Sequence, residues 1–229
     1  MTNKRRHIVI AIDGPAASGK SSTSQWVAEK LGFRHVDSGS LYRALTAALL
    51  RQGAPPERWT PSVMIAQGSR VSLRPEATTF AALIDGVPAE EEIRGSLVTS
   101  HVSLVARVPE VRTWVNARVR EAASDHDVVV DGRDMGTAVF PDATLKIFLI
   151  ADPWERARRR LVQRLDHAPS EEEIAAETDL LVQRDSKDAT QTVQAKDAVV
   201  LDTTYLTQAE QVERIVALAR AVSQRPHDT

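Results

Sequence analysis

Ile8-Val9-Ile10-Ala11-Ile12-Asp13-Gly14-Pro15-Ala16-Ala17-Ser18-Gly19-Lys20-Ser21-Ser22 decides the fold of this chain. Residues 8–12 are a short, mostly β-branched run without polar alternation. Such a run suits a parallel strand buried on both faces. Residues 14–21 fit G-x-x-x-x-G-K-[ST] in full, the pattern of a loop that cradles phosphate. Its glycines permit backbone with positive φ, which turns N–H groups inward. Over residues 20–31, Trp26, Val27 and Leu31 fall at helical spacing, and Gly32 stops the helix. The helix N-terminus adds partial positive charge under the loop. In such a loop Lys20 reaches β- and γ-phosphates, Ser21 ligates Mg²⁺ and the remaining residues, with Ser22, surround the phosphates. A glycine turn that only joins strand to helix is the plainer alternative. The complete pattern, between a strand and a helix, argues against it.

Composition narrows the setting. Hydrophobic side chains are 42% of the sequence and charged ones 26%, with a formal net charge of −2. That balance is ordinary for a globular protein and calls for neither nucleic acid nor an anionic membrane as partner. The lack of cysteine excludes disulfides, thiolate catalysis and zinc–thiolate sites. The six histidines show no metal-site spacing. Residues 1–7 are polar and basic, and the apolar run after them is too short for a signal peptide or a membrane span. A cytoplasmic location is therefore expected. With no extended apolar surface in view, so is a monomer.

Working outward, residues 34–36 read as a second strand and 42–50 as a helix ended near Gly53-Ala54-Pro55-Pro56. Residues 61–95 differ in kind, with strand-like pieces at 71–73 and 79–84 and an Asp85-Gly86 turn toward Val87. They predict a small antiparallel insertion. Helices are expected over 111–123, 153–165, 170–183 and 208–222, and strands over 128–131, 145–150 and 198–201, the last as a fifth core strand. Residues 225–229 read as a frayed tail. Five apolar strands alternating with helices predict an α/β fold: a five-stranded parallel sheet flanked by helices.

A phosphate loop alone does not separate GTPases, motor ATPases and small-molecule kinases. No Asn-Lys-x-Asp guanine-reading motif is present, and the slightly negative charge disfavours a nucleic-acid motor. The remaining blocks are Asp37-Ser38-Gly39-Ser40-Leu41-Tyr42-Arg43, Asp131-Gly132-Arg133-Asp134-Met135-Gly136-Thr137 and Arg184-Asp185-Ser186-Lys187-Asp188. With Val139-Phe140-Pro141-Asp142-Ala143, Ser103, Arg112 and residues 197–204, they closely resemble the bacterial cytidylate (CMP) kinases of the nucleoside-monophosphate kinase group. The resemblance spans about residues 8–222.

It implies a P-loop kinase core (residues 1–37, 105–155 and 191–229), an enlarged acceptor-binding subdomain (38–104) and a short lid (156–190). It implies transfer of phosphoryl from ATP, with Mg²⁺, to CMP and dCMP. The chemistry is coherent. A nucleoside monophosphate is largely a dianion at neutral pH, with a second pKa of about 6, so no strong base is needed. Catalysis then rests on positioning and charge neutralisation. The resemblance assigns Arg43 and Arg133 to the acceptor phosphate, with Ser38 beside them. Surface salt bridging is the plainer reading of either arginine, but a guanidinium fork suits phosphate, and ligands of open α/β sheets sit at strand carboxyl ends. Ser103, Arg112 and Asp134 would read the base, since cytosine donates from N4 and accepts at N3 and O2. Without the resemblance, Ser103 and Arg112 read as a helix face and a solvated charge. Arg156 and Arg160, four apart on one helix, would face the transferring phosphate. Arg158, Arg159 and Arg164 fit a solvated face with partners such as Glu155. Arg184 and Asp188 would hold the ribose. Two readings of Asp131 stand side by side: it holds a Mg²⁺-bound water, or it caps the next turn.

The chain departs from the family pattern near its end. A second lid arginine is replaced by Gln191, and the segment between Thr192 and Ala195 is shorter and lacks a Pro-Leu. Lys187 or Lys196 offers only a point charge in its place. Other acceptors, such as shikimate or thymidylate, share the loop but not the Asp-Gly-Arg-Asp-Met-Gly block. A non-catalytic nucleotide-binding module is the alternative from another class, and the intact Lys20, Ser21, Arg43 and Arg133 argue against it.

Overall fold

The computed structural model of the chain describes residues 7–223. The expected basic start (residues 1–6) and frayed tail (225–229) lie outside the described residues. In chain order the strands are β1 (Val9–Asp13), β2 (Arg34–Asp37), β3 (Val71–Pro75), β4 (Phe80–Ile84), β5 (Val87–Pro88), β6 (Val128–Gly132), β7 (Leu145–Ile150) and β8 (Val199–Asp202). The helices are α1 (Lys20–Leu31), α2 (Ser38–Arg51), α3 (Pro61–Ala66), α4 (Glu90–Arg94), α5 (Ser96–Ala106), α6 (Pro109–Ala123), α7 (Pro153–Arg164), α8 (Glu171–Asp188) and α9 (Gln208–Ser223).

Five strands form a parallel sheet in the order β2-β6-β1-β7-β8. Successive side chains of a strand point to opposite faces. Ala11, Val128 and Val130 therefore pack on one side with Leu41, Leu45, Val111 and Val115, while Ile10, Ile12 and Val129 pack on the other with Val27, Val212 and Ile215. Both faces are dry, which is why these strands read as continuous apolar runs. Because the strands are parallel, β1, β2 and β6 all end at one edge, and the loops after them carry the quoted motifs.

Several boundaries differ from the sequence expectation. Helix α2 starts at Ser38, four residues before Tyr42, because Asp37 caps it by accepting from Ser40 N at 3.2 Å. Its Ser-Gly-Ser first turn has no apolar period to read. The 61–95 insertion does contain an antiparallel sheet, β3-β4-β5, but also α3 and α4. Helix α5, which carries Ser103, follows it. Helix α8 opens with a capping box between Ser170 and Glu173 and runs to Asp188, so Arg184, Asp185 and Asp188 ride on a helix. Strand β8 is the expected fifth strand of the core sheet. It is the sheet's edge, with Val199 and Val200 40% and 44% exposed. Trp26, at helical spacing with Val27, faces outward at 45% exposure. Among the described residues no helix is long and apolar enough to cross a membrane.

Candidate active site

The turn between β1 and α1 holds its shape through unusual backbone. Gly14 and Gly19 have φ of +151° and +84°, and Ala17 takes a left-handed φ of +57°. For a non-glycine residue that conformation costs about 1–2 kcal/mol, strain of the kind that collects at functional loops. A Cβ on Gly14 would lie 2.3 Å from the Leu149 carbonyl oxygen, so only glycine lets the loop pass beneath β7. Lys20 Nζ donates across the loop to Pro15 O (2.6 Å) and Ser18 Oγ (3.3 Å). Burial, helped by the neighbouring Arg133, draws its pKa down to about 7, against the pull of Asp131 and Asp13. Ser22 Oγ donates to Gly19 O.

Two buried carboxylates stand beneath the loop. Asp13 accepts from the backbone N–H groups of Met135 and Gly136, both at 2.8 Å. It thus ties β1 to the turn after β6. Burial raises its pKa to about 6 despite those bonds. Asp131 Oδ2 accepts from Ser21 Oγ at 2.7 Å, and Oδ1 lies 2.6 Å from His35 Nε2. Burial alone would raise the Asp131 pKa, but the His35 and Ser21 bonds outweigh it and hold the carboxyl below its ordinary value. Among the described residues the Asp131 side chain bonds to Ser21 and His35 rather than to the turn that follows it. It is the Asp131 backbone oxygen that receives Ser38 Oγ, at 2.7 Å.

Opposite the loop stands a group of arginines. Arg133 donates to Gly14 O and to Asp188 Oδ2, both at 2.9 Å. Arg184 Nε lies 3.7 Å from the same Asp188 oxygen and is buried without a hydrogen-bond partner. Arg43 donates to Thr99 Oγ1 (2.9 Å) and Ile93 O (3.1 Å). Its pKa is lowered first by burial and then by Arg184, with Arg94 and Arg160 acting the same way. Arg43, Arg160 and Arg184 are therefore close enough to repel one another. Arg112 pairs with Asp134 Oδ2 at 2.5 Å, and its guanidinium lies 6.0 Å from the Tyr42 ring centre. The Tyr42 hydroxyl is buried without a partner, and burial pushes its pKa up to about 12. Ser103 is partly buried on α5. No hydrogen bond joins it to Arg112 or Asp134 among the described residues.

Arg156 and Arg160, four apart on α7, both reach carboxylates of α8. Arg156 is 4% exposed and holds the loop itself, donating to Ala16 O (2.8 Å), Ala151 O (3.1 Å) and Asp185 (2.6 Å). Asp185 in turn accepts from Ala16 N at 3.2 Å. Arg160 pairs with the buried Glu177 of α8 at 2.9 Å, and Arg164 shares that carboxylate at 3.3 Å. Arg158 pairs with Glu155, while Arg159 donates to the Thr203 and Thr204 carbonyls. Gln191 accepts from Arg112 at 3.2 Å, and Lys187 and Lys196 are exposed.

Sequence reading missed Asp13, His35 and Glu177. Asp13 and His35 carried a signal, since each is a polar side chain at or within an otherwise apolar strand. Glu177 carried none, because one glutamate in an acidic helix does not announce its burial. Among the described residues no cluster of three or more His, Cys, Asp or Glu forms a metal cage. Ser21 and Asp131 nonetheless bring two hard oxygens together, the donor type of Mg²⁺, which fills the rest of its shell with water and phosphate. Their 2.7 Å separation is near the roughly 2.9 Å between neighbouring oxygens around an octahedral ion with bonds of about 2.0–2.1 Å.

A family model described as cytidylate kinase matches residues 10–221. The cytidylate kinase of Oceanobacillus iheyensis is 39% identical over 216 residues, covering 92% of this chain and 93% of that protein. The cytidylate kinase of Geobacillus kaustophilus is 41% identical over 219 residues, covering 93% and 97%. A solved structure of an uncharacterized protein from Eubacterium ventriosum is similar in fold alone, with a TM-score of 0.52 at 9% identity over 94% of this chain and 99% of that one. Matched by the family model over nearly its whole described length, and by relatives of full length, this chain belongs to the cytidylate kinase family.

Proposed function

We propose that this chain transfers the γ-phosphoryl group of ATP to CMP and dCMP, forming CDP and dCDP. The observation that carries the reading is the set of mutually repelling arginines, Arg43, Arg160 and Arg184, with Arg133 beside them, facing an intact phosphate loop. Arg133 and Arg184 share Asp188, and Arg160 shares Glu177 with Arg164, so cations outnumber carboxylates here, which favours an anion, and the buried Nε–H of Arg184 has no hydrogen-bond partner.

In this reading residues 14–22 hold the ATP phosphates, and Lys20 leaves Pro15 O for a phosphate oxygen. Binding to the polyphosphate restores the charge of that amine. Arg43 and Arg133 hold the acceptor phosphate, with Ser38 at the start of α2. Arg184 and Asp188 hold the ribose. Arg112 and Asp134 read cytosine together with Ser103: the carboxylate accepts from N4, and the donors meet N3 and O2. The residues present fit Mg²⁺, with Ser21 as direct ligand and Asp131 beside it. The ion would supply charge neutralisation to the ATP phosphates. Arg156 fixes the loop from the lid side, and Arg160 exchanges Glu177 for the transferring phosphoryl group. The acceptor is already a dianion, so these residues position and neutralise rather than remove a proton. Gln191 supplies no cation to the acceptor phosphate.

The reading divides the chain into a core (residues 1–37, 105–155 and 191–229), an acceptor-binding subdomain (38–104) and a lid (156–190) formed by α7 and α8. It places the protein in the cytoplasm as a monomer acting on free nucleotides. A coupled ADP-release assay over a panel of monophosphates tests the activity. Release stimulated by CMP and dCMP but not UMP is expected. Equal use of UMP sinks the base-reading scheme, release without acceptor makes the protein an ATPase, and no release makes it a binding module.

A further inference from the structure

Among the described residues His35 is the one buried histidine, and the proposed chemistry leaves it without a task. It lies in β2 at 5% exposure, between Arg34 and Val36. Its imidazole Nε2 is 2.6 Å from Asp131 Oδ1, and the other oxygen of that carboxylate receives Ser21 Oγ at 2.7 Å. Three side chains from three elements thus form a line: β2, the end of β6, and the first turn of α1. The line ends on the serine that follows the phosphate-loop lysine.

The backbone around His35 is held on both edges. On the inner side β2 pairs in parallel with β6, His35 opposite Val129. On the outer side His35 N donates to Thr78 O at 2.9 Å, and Thr79 Oγ1 donates to His35 O at 3.3 Å. The paired strand fixes the backbone, and burial at 5% exposure restricts the side-chain torsions, so the imidazole presents Nε2 at a defined place. The carboxylate of Asp131 has one free torsion that matters, the rotation of its plane. A bond to Oδ1 from a fixed donor removes it.

We propose that His35 is a positioning residue of the phosphoryl-donor site: by holding Oδ1 of Asp131, it aims Oδ2 at the Ser21 oxygen and at the Mg²⁺ that accompanies ATP. It touches neither nucleotide. The inference rests on the reading of Ser21 and Asp131 as the metal-side oxygens. Hydrogen bonds that orient a ligating carboxylate contribute about 10–100-fold to metal affinity or activity at comparable sites. A histidine that merely filled the space between β2 and β6 would contribute to stability and leave metal dependence alone.

The test compares ATP binding by calorimetry with and without Mg²⁺ in wild type, His35→Leu and His35→Gln, with CMP binding and thermal melts alongside. The expected result is that His35→Leu keeps its metal-free ATP affinity and its CMP affinity within about twofold and loses about tenfold or more of the Mg²⁺-dependent gain. His35→Gln, whose side-chain amide reaches the same carboxylate oxygen, recovers most of that gain. A His35→Leu protein with the full Mg²⁺-dependent gain overturns the proposal. So does one that loses metal-free ATP and CMP binding to the same degree. Should the leucine variant fail to fold, His35→Asn replaces it: glutamine retaining the gain and asparagine losing it supports the proposal, and equal behaviour of the two overturns it. A wild type without any Mg²⁺-dependent gain refutes the metal reading itself, a result distinct from a variant that matches a metal-dependent wild type.

Discussion

Asp134→Asn isolates the reading of the base. Asp134 is 8% exposed and ends the turn that Asp13 anchors. Its Oδ2 is taken by Arg112, and no hydrogen bond engages Oδ1 among the described residues. Asparagine keeps the shape and removes the charge. Arg112 stays in place, because Gln191 Oε1 at 3.2 Å, Ala106 O at 3.3 Å and the Tyr42 ring still hold it. The amide oxygen turns toward that guanidinium, which leaves the –NH₂ facing the base. Cytosine N4 then meets a donor instead of an acceptor. A hydrogen bond to a charged group contributes about 1.5–3 kcal/mol, so the loss is about 10–150-fold in the Kd for CMP. Uracil presents an acceptor at the same position, so the preference for CMP over UMP shrinks by at least that factor. Calorimetric titrations of CMP and UMP, with kcat/KM from the coupled assay, read both quantities, and ATP affinity serves as control. A CMP affinity within about twofold of wild type, with unchanged discrimination, refutes the assignment. An equal loss of ATP affinity refutes it too, since the change would then lie in the turn rather than in the base contact.

Gly14→Ala puts a Cβ 2.3 Å from Leu149 O, and relieving the clash means separating β1 from β7. Overpacking of this kind costs about 1–3 kcal/mol, so the Tm falls by about 2–12 °C for a chain of this size and ATP binding weakens; an unchanged Tm refutes the close approach. Arg160→Ala lowers kcat by about tenfold or more, as loss of a charge contact made in the transition state does, while the KM for CMP moves little. A loss confined to KM assigns Arg160 to ground-state binding instead. Asp13 has its pKa raised from 3.8 to about 6, so its contribution to stability is fully present below pH 3.8 and is lost as pH rises through about 6. Relative to Asp13→Asn, which does not titrate, wild type should therefore lose about 2 kcal/mol between pH 4 and pH 7. A stability difference that is flat over that range, measured by chemical denaturation, refutes the burial argument.

Much of the donor side was legible in the sequence because its chemistry is local. The strand, the glycine turn, Lys20 and Ser21 are consecutive, and each acts through its own backbone or its immediate neighbours. The acceptor side was legible only as separate blocks. Nothing in the order of residues joins Arg112 to Asp134, or Arg43 to Arg160 and Arg184. Their meeting depends on α2, α6, α7 and α8 converging on the carboxyl edge of the sheet. What spacing did not show has the same origin. Spacing put Trp26 on the apolar face, but exposure is decided by what packs against a residue, and Trp26 stays 45% exposed, as Val199 and Val200 of the edge strand β8 do at 40% and 44%. Equal helical spacing put Arg156 and Arg160 on one side of α7, and both do turn toward α8, but spacing could not show that Asp185 and the loop carbonyls hold one while Glu177 holds the other.

By itself, then, the sequence determined the class of fold, the phosphate loop and the family, because periodicity and contiguous motifs are properties of neighbours along the chain. The tertiary structure alone decided which carboxylates are buried, which arginines are already paired, and that His35, Asp131 and Ser21 stand in line. Those are facts of desolvation and of distance between segments far apart in sequence, and they exist only once the sheet has brought its strand ends together.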